Sequence, residues 1–121
     1  NNMGKKIILI DRFLDSTIAY QHYGMSVNIR LINLINSFLL KKIKVNFTFL
    51  NLVNKKNMSL RLKKRIKLNR YDKFKNIFYN KVQNGFIKIA NKNKHKYLKI
   101  NSNLSVDINK NLIINKIKEL I

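Results

Sequence analysis

The chain reads as an α/β fold with a parallel sheet covered by helices on both faces, and three observations carry that reading. Short β-branched or apolar runs at 6–10 ("KIILI"), 45–53 ("VNFTFLNLV") and 97–101 ("YLKIN") stand apart from longer stretches of helical spacing. Strand-like and helix-like segments alternate in the order β-α-α-β-α-α-β-α, the pattern of parallel strands joined by crossover helices. Neither a proline nor an internal repeat marks a linker, so the 121 residues fit one small domain.

Each element has its own local reason. The run at 6–10 is continuous and not alternating, as in a strand buried on both faces. Asp15 is placed to cap a short helix over 16–23 that ends near Gly24. Ser26 is placed to cap the next helix, with Leu31, Leu34, Ile35, Phe38 and Leu39 at helical spacing. The β-branched and aromatic run at 45–53 predicts the second strand. Asn54 caps a helix with Met58, Leu62 and Ile66 on one side. The stretch "KKRIKLNRYDK" is too polar to bury and reads as an exposed connection. A long amphipathic helix follows, bearing Phe74, Ile77, Phe78, Val82, Phe86 and Ile89. After the third strand at 97–101, Asp107 starts a final helix with Ile108, Leu112, Ile117 and Leu120.

Composition narrows the function classes. Cysteine is absent, which excludes disulfides and thiolate metal sites and fits a reducing compartment. No apolar run approaches the ~20 residues of a membrane span, and no signal-peptide pattern opens the chain. The cytoplasm is therefore the expected location, and no membrane partner is expected. A formal charge of +21 invites a nucleic-acid partner. The kind of base argues otherwise, because 21 of the 26 basic residues are Lys and only 5 are Arg, whereas bidentate phosphate and guanine contacts favour Arg. Asn and Ile are inflated too, with 20 and 18 copies. All three residue types have A/T-rich codons, and the charge is dispersed along the chain. A solvated basic surface outweighs a dedicated nucleic-acid site.

In parallel α/β sheets ligands gather beyond the carboxyl ends of the strands. Asp11-Arg12, Asn51–Asn54 and Asn101-Ser102 fall at three such ends. Two of the five acidic residues, Asp11 and Asp15, lie within the single stretch "ILIDRFLDSTIAYQHYG" at 8–24. Singly, these residues have plain explanations: an Asp-Arg structural ion pair, Tyr20 as a core aromatic, Thr17 in a first helical turn, Asp15 as a cap. The joint spacing points elsewhere. "DRFLDSTIAYQ" resembles the thymidylate kinase signature, an Asp-Arg-Tyr/His followed by a Ser-Ser/Thr-x-Ala-Tyr-Gln helix. "VNFTFLNL" looks like that family's Pro-Asp-Leu-Thr strand, and "RLKKRIKLNRYDKF" like its arginine-bearing LID. "FYNKVQNGFIKIA" is similar to the helix after the LID, and "YLKINSN" to the last strand.

The resemblance implies a P-loop NTPase fold of the nucleoside-monophosphate-kinase type, with a three-layer parallel sheet, and ATP-dependent conversion of dTMP to dTDP with Mg²⁺. It implies substrate-binding roles for Arg12, Thr17, Tyr20 and Gln21. Arg12 would clamp the dTMP phosphate, which suits a guanidinium fork. Thr17 and Gln21 match positions that hydrogen-bond the thymine edge, and Tyr20 the tyrosine beside the sugar. Asp11 matches the carboxylate facing the phosphate loop and the Mg²⁺ water shell, with no direct metal ligand assigned. Arg61, Arg65 and Arg70 are three of the chain's five arginines, gathered in or just before the LID at 61–75. Arg70 is the first choice for the catalytic contact and Arg65 the second. Family members are commonly homodimers.

The sequence also departs from that pattern. Phe13 stands for the usual Tyr or His, "QHYGMS" for Gln-Gly-x-Gly-Arg-Gly, and Asn69 for the Asp beside the LID arginine. A Gly-x-x-x-x-Gly-Lys-Ser/Thr loop is what such a kinase uses to cradle ATP phosphates. The chain's three glycines, Gly4, Gly24 and Gly85, all stand outside that context. The expectation is the C-terminal part of a thymidylate kinase domain over 1–121, with the phosphate-loop strand absent and no kinase activity by itself. That strand would lie between 6–10 and 47–52, so the sheet either closes up or stays open at its centre. The alternatives are another P-loop nucleoside or nucleotide kinase and a basic nucleic-acid-binding module.

Overall fold

A computed structural model describes residues 6–41, 43–65 and 76–121. It begins with α1 (Leu14–Thr17), which runs directly into a π-helical segment (Ile18–Gly24) and is followed by α2 (Ile29–Leu40). Strand β1 (Thr48–Leu52) leads to α3 (Lys55–Lys63), and α4 (Asn76–Lys92) leads through a 3₁₀ turn (Lys94–Lys96) to β2 (Tyr97–Asn101). Helix α5 (Val106–Leu120) ends the fold. β1 and β2 pair in parallel from Thr48↔Tyr97 to Leu52↔Asn101. Leu50 and Ile100 are both buried. Because Ile100 pairs with Asn51, these two side chains fall on opposite faces, so burial occurs on both sides of the sheet.

The predicted strand at 6–10 does not form. Ile7, Ile8, Leu9 and Ile10 are irregular and at least half exposed, Leu9 reaching 79%. A strand exists only through its pairing, and among the described residues β1 and β2 pair only with each other. Among the described residues the sheet is therefore two-stranded, β1 beside β2.

Three helix starts differ from the sequence reading in instructive ways. Asp15 does not cap the first helix, which starts two residues earlier than expected and has Phe13 at its cap position with no side-chain hydrogen bond. Ser26 takes a left-handed backbone (φ 61°), and Asn28 caps α2 by accepting from the Arg30 N–H at 2.8 Å. Ser105, and not Asp107, caps α5, leaving Asp107 in the first turn, where a carboxylate complements the helix dipole. Asn54 caps α3 as expected, accepting from the Asn57 N–H at 2.8 Å.

Helix α2 presents an unexpected side. Ile32 and Asn36 are its buried residues, whereas Leu31, Leu34, Ile35, Phe38 and Leu39 are all more than half exposed. The apolar stripe is real, but among the described residues nothing covers it. On α4, Phe78, Val82, Gly85 and Ala90 are buried and Phe86 and Ile89 pack beside them, while Ile77 faces outward. Phe74 and Ile66 lie outside the described residues.

The core sits where the π-helical segment crosses α4. Ala19, Phe78 and Val82 form its centre, with Tyr20, Met25, Tyr79, Phe86 and Ile89 around them. Two glycines make this crossing close. A Cβ on Gly24 would lie 2.6 Å from Phe78 Cε2, and one on Gly85 would lie 2.6 Å from Tyr23 Cδ2 and 2.8 Å from Tyr23 Cβ. The base of the Tyr23 side chain cannot swing away without moving backbone. Gly85→Ala should therefore destabilise by about 1–3 kcal/mol, although alanine is the better helix former by about 1 kcal/mol. Urea unfolding checks this against Asn84→Ala, an exposed neighbour on the same helix that should be neutral or slightly stabilising.

Candidate functional site

A hollow of about 270 Å³ opens at the carboxyl end of β1. Its apolar wall is built by Tyr79, Val82 and Phe86 of α4 with Met58 and Leu62 of α3. Its rim carries Arg12, Arg61 and Arg65, and Tyr20 faces it from the π-helical segment. Among the described residues, no carboxylate lines it. Three guanidinium groups beside aromatic rings suit a ligand that combines an anion with a planar base.

Arg12 is the most constrained of these residues. Its backbone lies in the left-handed region at φ 62°, which costs a non-glycine residue roughly 1–2 kcal/mol. The guanidinium carbon stands 4.6 Å from the centre of the Tyr20 ring, within cation–π range, and Nε donates to Ser16 Oγ at 3.4 Å. Tyr20 is itself held edge-on by Phe78 at 6.0 Å and Phe86 at 6.3 Å. The α4 core thus fixes Tyr20, and Tyr20 carries Arg12.

Other sequence-predicted residues fall elsewhere. Thr17 is exposed and Gln21 half-buried, and neither lines the hollow. They are four apart across the point where α-helix gives way to π-helix, so the α-helical rule that aligns such pairs does not apply unchanged. Asp11 is exposed and also outside the lining. Asp15 accepts a 2.7 Å hydrogen bond from the Tyr97 hydroxyl, joining the first helix to the start of β2. Arg61 donates to the Ser102 carbonyl at 2.6 Å, tying α3 to the end of β2. Arg65 lines the hollow, and Arg70 lies outside the described residues. His22, which belongs to no predicted site, is half-buried, its Nδ1 2.9 Å from the Val27 carbonyl.

Two features went unseen in the sequence. Gln83 lines the hollow and accepts from the Val53 N–H at 3.2 Å, closing the end of β1. Asn103 accepts from the Asn54 N–H at 3.1 Å and the Asn57 amide at 3.0 Å, and donates to Asn101 Oδ1 at 2.7 Å. This asparagine lattice borders a second open hollow of about 300 Å³ beyond both strands. Its signal was the run of asparagines at the two strand ends.

The thymidylate kinase family profile matches residues 1–113. The chain belongs to the thymidylate kinase family. Thymidylate kinase of Ehrlichia chaffeensis is 50% identical over 38 residues, which are 31% of this chain and 19% of that protein. The Exiguobacterium thymidylate kinase is 37% identical over 59 residues, 49% of this chain and 28% of that protein. The crystal structure of the Ehrlichia chaffeensis thymidylate kinase superposes with a TM-score of 0.60 at 32% identity, covering 98% of this chain and 52% of that one. The fold is therefore that of the thymidylate kinases, and the chain spans about half the length of this relative.

Tyr97 is the one group with a resolved shift in this neighbourhood. Burial, then the hydrogen bond and charge of Asp15, push its phenol above the ordinary 10.0, with a smaller opposing contribution from Thr48. Below pH ~10 the phenol is protonated in both folded and unfolded chains, and its stabilising effect is complete. Above that pH the unfolded chain ionises first, so the contribution declines as pH rises. Urea midpoints measured from pH 8 to 11 should fall more steeply for the unaltered chain than for Tyr97→Phe; parallel curves would contradict the assignment.

Proposed function

We propose that these residues supply the dTMP side of a thymidylate kinase, in which ATP phosphorylates dTMP to dTDP. The family membership supports the reaction, and one observation supports the location: Arg12, Tyr20 and Arg65, each singled out from the sequence, line a single hollow at a strand's carboxyl end. In this reading Arg12 binds the dTMP phosphate and Tyr20 packs beside the sugar. Thr17 and Gln21 take the thymine edge. Residues 1–121 form part of one domain, with 61–75 as its LID.

Phosphoryl transfer needs charge compensation on the moving group more than it needs covalent chemistry. Arg70, with Arg65 second, provides that charge when the LID closes. Asp11 borders the phosphates. Mg²⁺ accompanies ATP in such chemistry, but among the described residues no three His, Cys, Asp or Glu side chains come together to hold a metal. The working protein is a cytoplasmic homodimer in this reading; among the described residues no helix is long and apolar enough to cross a membrane.

The sequence contains no Gly-x-x-x-x-Gly-Lys-Ser/Thr loop, so the 121 residues by themselves should bind dTMP without turning it over. Arg12→Ala should weaken dTMP binding about 10- to 100-fold, the range for a charged hydrogen bond, as measured by isothermal titration. Comparable binding of dTMP, dCMP and dAMP would favour a different nucleotide kinase. ATP-dependent formation of dTDP by the purified 121-residue chain would overturn the inactivity.

A further inference from the structure

We propose that Tyr97 is a positioning residue for the nucleotide site: its phenol holds Asp15 and so fixes the helical turn from which Arg12 and Tyr20 reach the hollow. The inference rests on reading that hollow as a nucleotide site. Its starting point is a weakness. α1 has only four residues, its cap position is Phe13, and no side chain caps its first turn. The preceding residue, Arg12, is held in a left-handed conformation. Such a start has little local reason to keep one geometry, since the first turn of a helix is the costly one to form.

The Tyr97–Asp15 bond supplies a restraint from outside. It spans 82 positions in sequence at 2.7 Å. Tyr97 is the first residue of β2 and pairs in register with Thr48, so the sheet sets its position. Asp15 adjoins Ser16, whose hydroxyl accepts from Arg12 Nε, and Arg12 in turn lies over Tyr20. A short path of contacts therefore runs from the sheet to the residues that line the hollow. The choice of partner is informative as well. In a chain of formal charge +21 with five acidic residues, Asp15 takes a neutral phenol as donor. Asp15 thus serves here as a structural acceptor. The sequence showed only half of this, because an aspartate ahead of a Ser-Thr helix reads as a local cap.

The test is dTMP titration of the 121-residue chain and four variants, with amide hydrogen exchange over 14–24 measured in parallel. Tyr97→Phe and Asp15→Ala each remove the bond and should weaken dTMP binding about three- to tenfold while speeding exchange over 14–24. Asp15→Asn keeps an acceptor oxygen and should restore affinity to within about twofold. Ile100→Val, in the same strand but remote from the contact, should lower the thermal midpoint while leaving dTMP affinity and exchange over 14–24 unchanged. Unaltered affinity in Tyr97→Phe, or an equal loss in Ile100→Val, would overturn the positioning role while leaving the nucleotide reading intact. Failure of the unaltered chain to bind dTMP would overturn that reading and the positioning role together.

Discussion

Everything that faces the candidate site depends on how closely the π-helical segment can approach α4. The two helices meet through reciprocal glycines, Gly24 beneath Phe78 and Gly85 beneath Tyr23, at separations that a single methyl group would violate. Close approach lets Ala19, Phe78 and Val82 exclude water almost completely, and that burial is the main stabilising contribution open to so small an apolar cluster. The same geometry brings Tyr20 between Phe78 and Phe86. Core and site are thus one structure: what makes the helices pack also sets the ring on which Arg12 rests.

The π-helical segment follows from this contact. A wider helix presents its side chains at a different angular step from an α-helix, and here it brings Ala19, Tyr20 and Tyr23 to α4 within one stretch of seven residues. Functional sites often contain such segments. Thr17 and Gln21 lie on either side of the junction between α1 and this segment, and neither lines the hollow.

The sequence disclosed the long elements and the charged residues better than the partnerships between them. β1, β2, α3 and α4 were legible because each carries a local signature: a β-branched or aromatic run, an Asn54 cap, an apolar stripe. Arg12 and Tyr20 stood out through spacing that resembles a family signature, and Arg65 through the gathering of arginines near the LID; all three line one hollow. The strand at 6–10 failed for the opposite reason, since an apolar run becomes a strand only where another strand receives it. Likewise the stripe on α2 was correctly periodic, yet periodicity does not say whether a neighbour covers it. Asp15 looked like a cap because its long-range partner, Tyr97, is invisible in local sequence. Gln83 escaped notice for the same reason: nothing within a helical turn of it reveals that it will accept from Val53.

The electrostatics of the hollow follow from what Arg12 and Arg61 bind. Guanidinium groups at one rim repel each other in the folded state, and a nearby carboxylate would relieve that repulsion at the expense of affinity for an anionic ligand. Here Arg61 donates to a backbone carbonyl and Arg12 to a hydroxyl and an aromatic face, all neutral partners. These contacts fix the side chains without cancelling their charge. The nearest acidic residue on the same helical turn, Asp15, is engaged by Tyr97. In the proposed reading, a phosphate entering the hollow meets the guanidinium groups of Arg12 and Arg61, which neutral partners have already oriented.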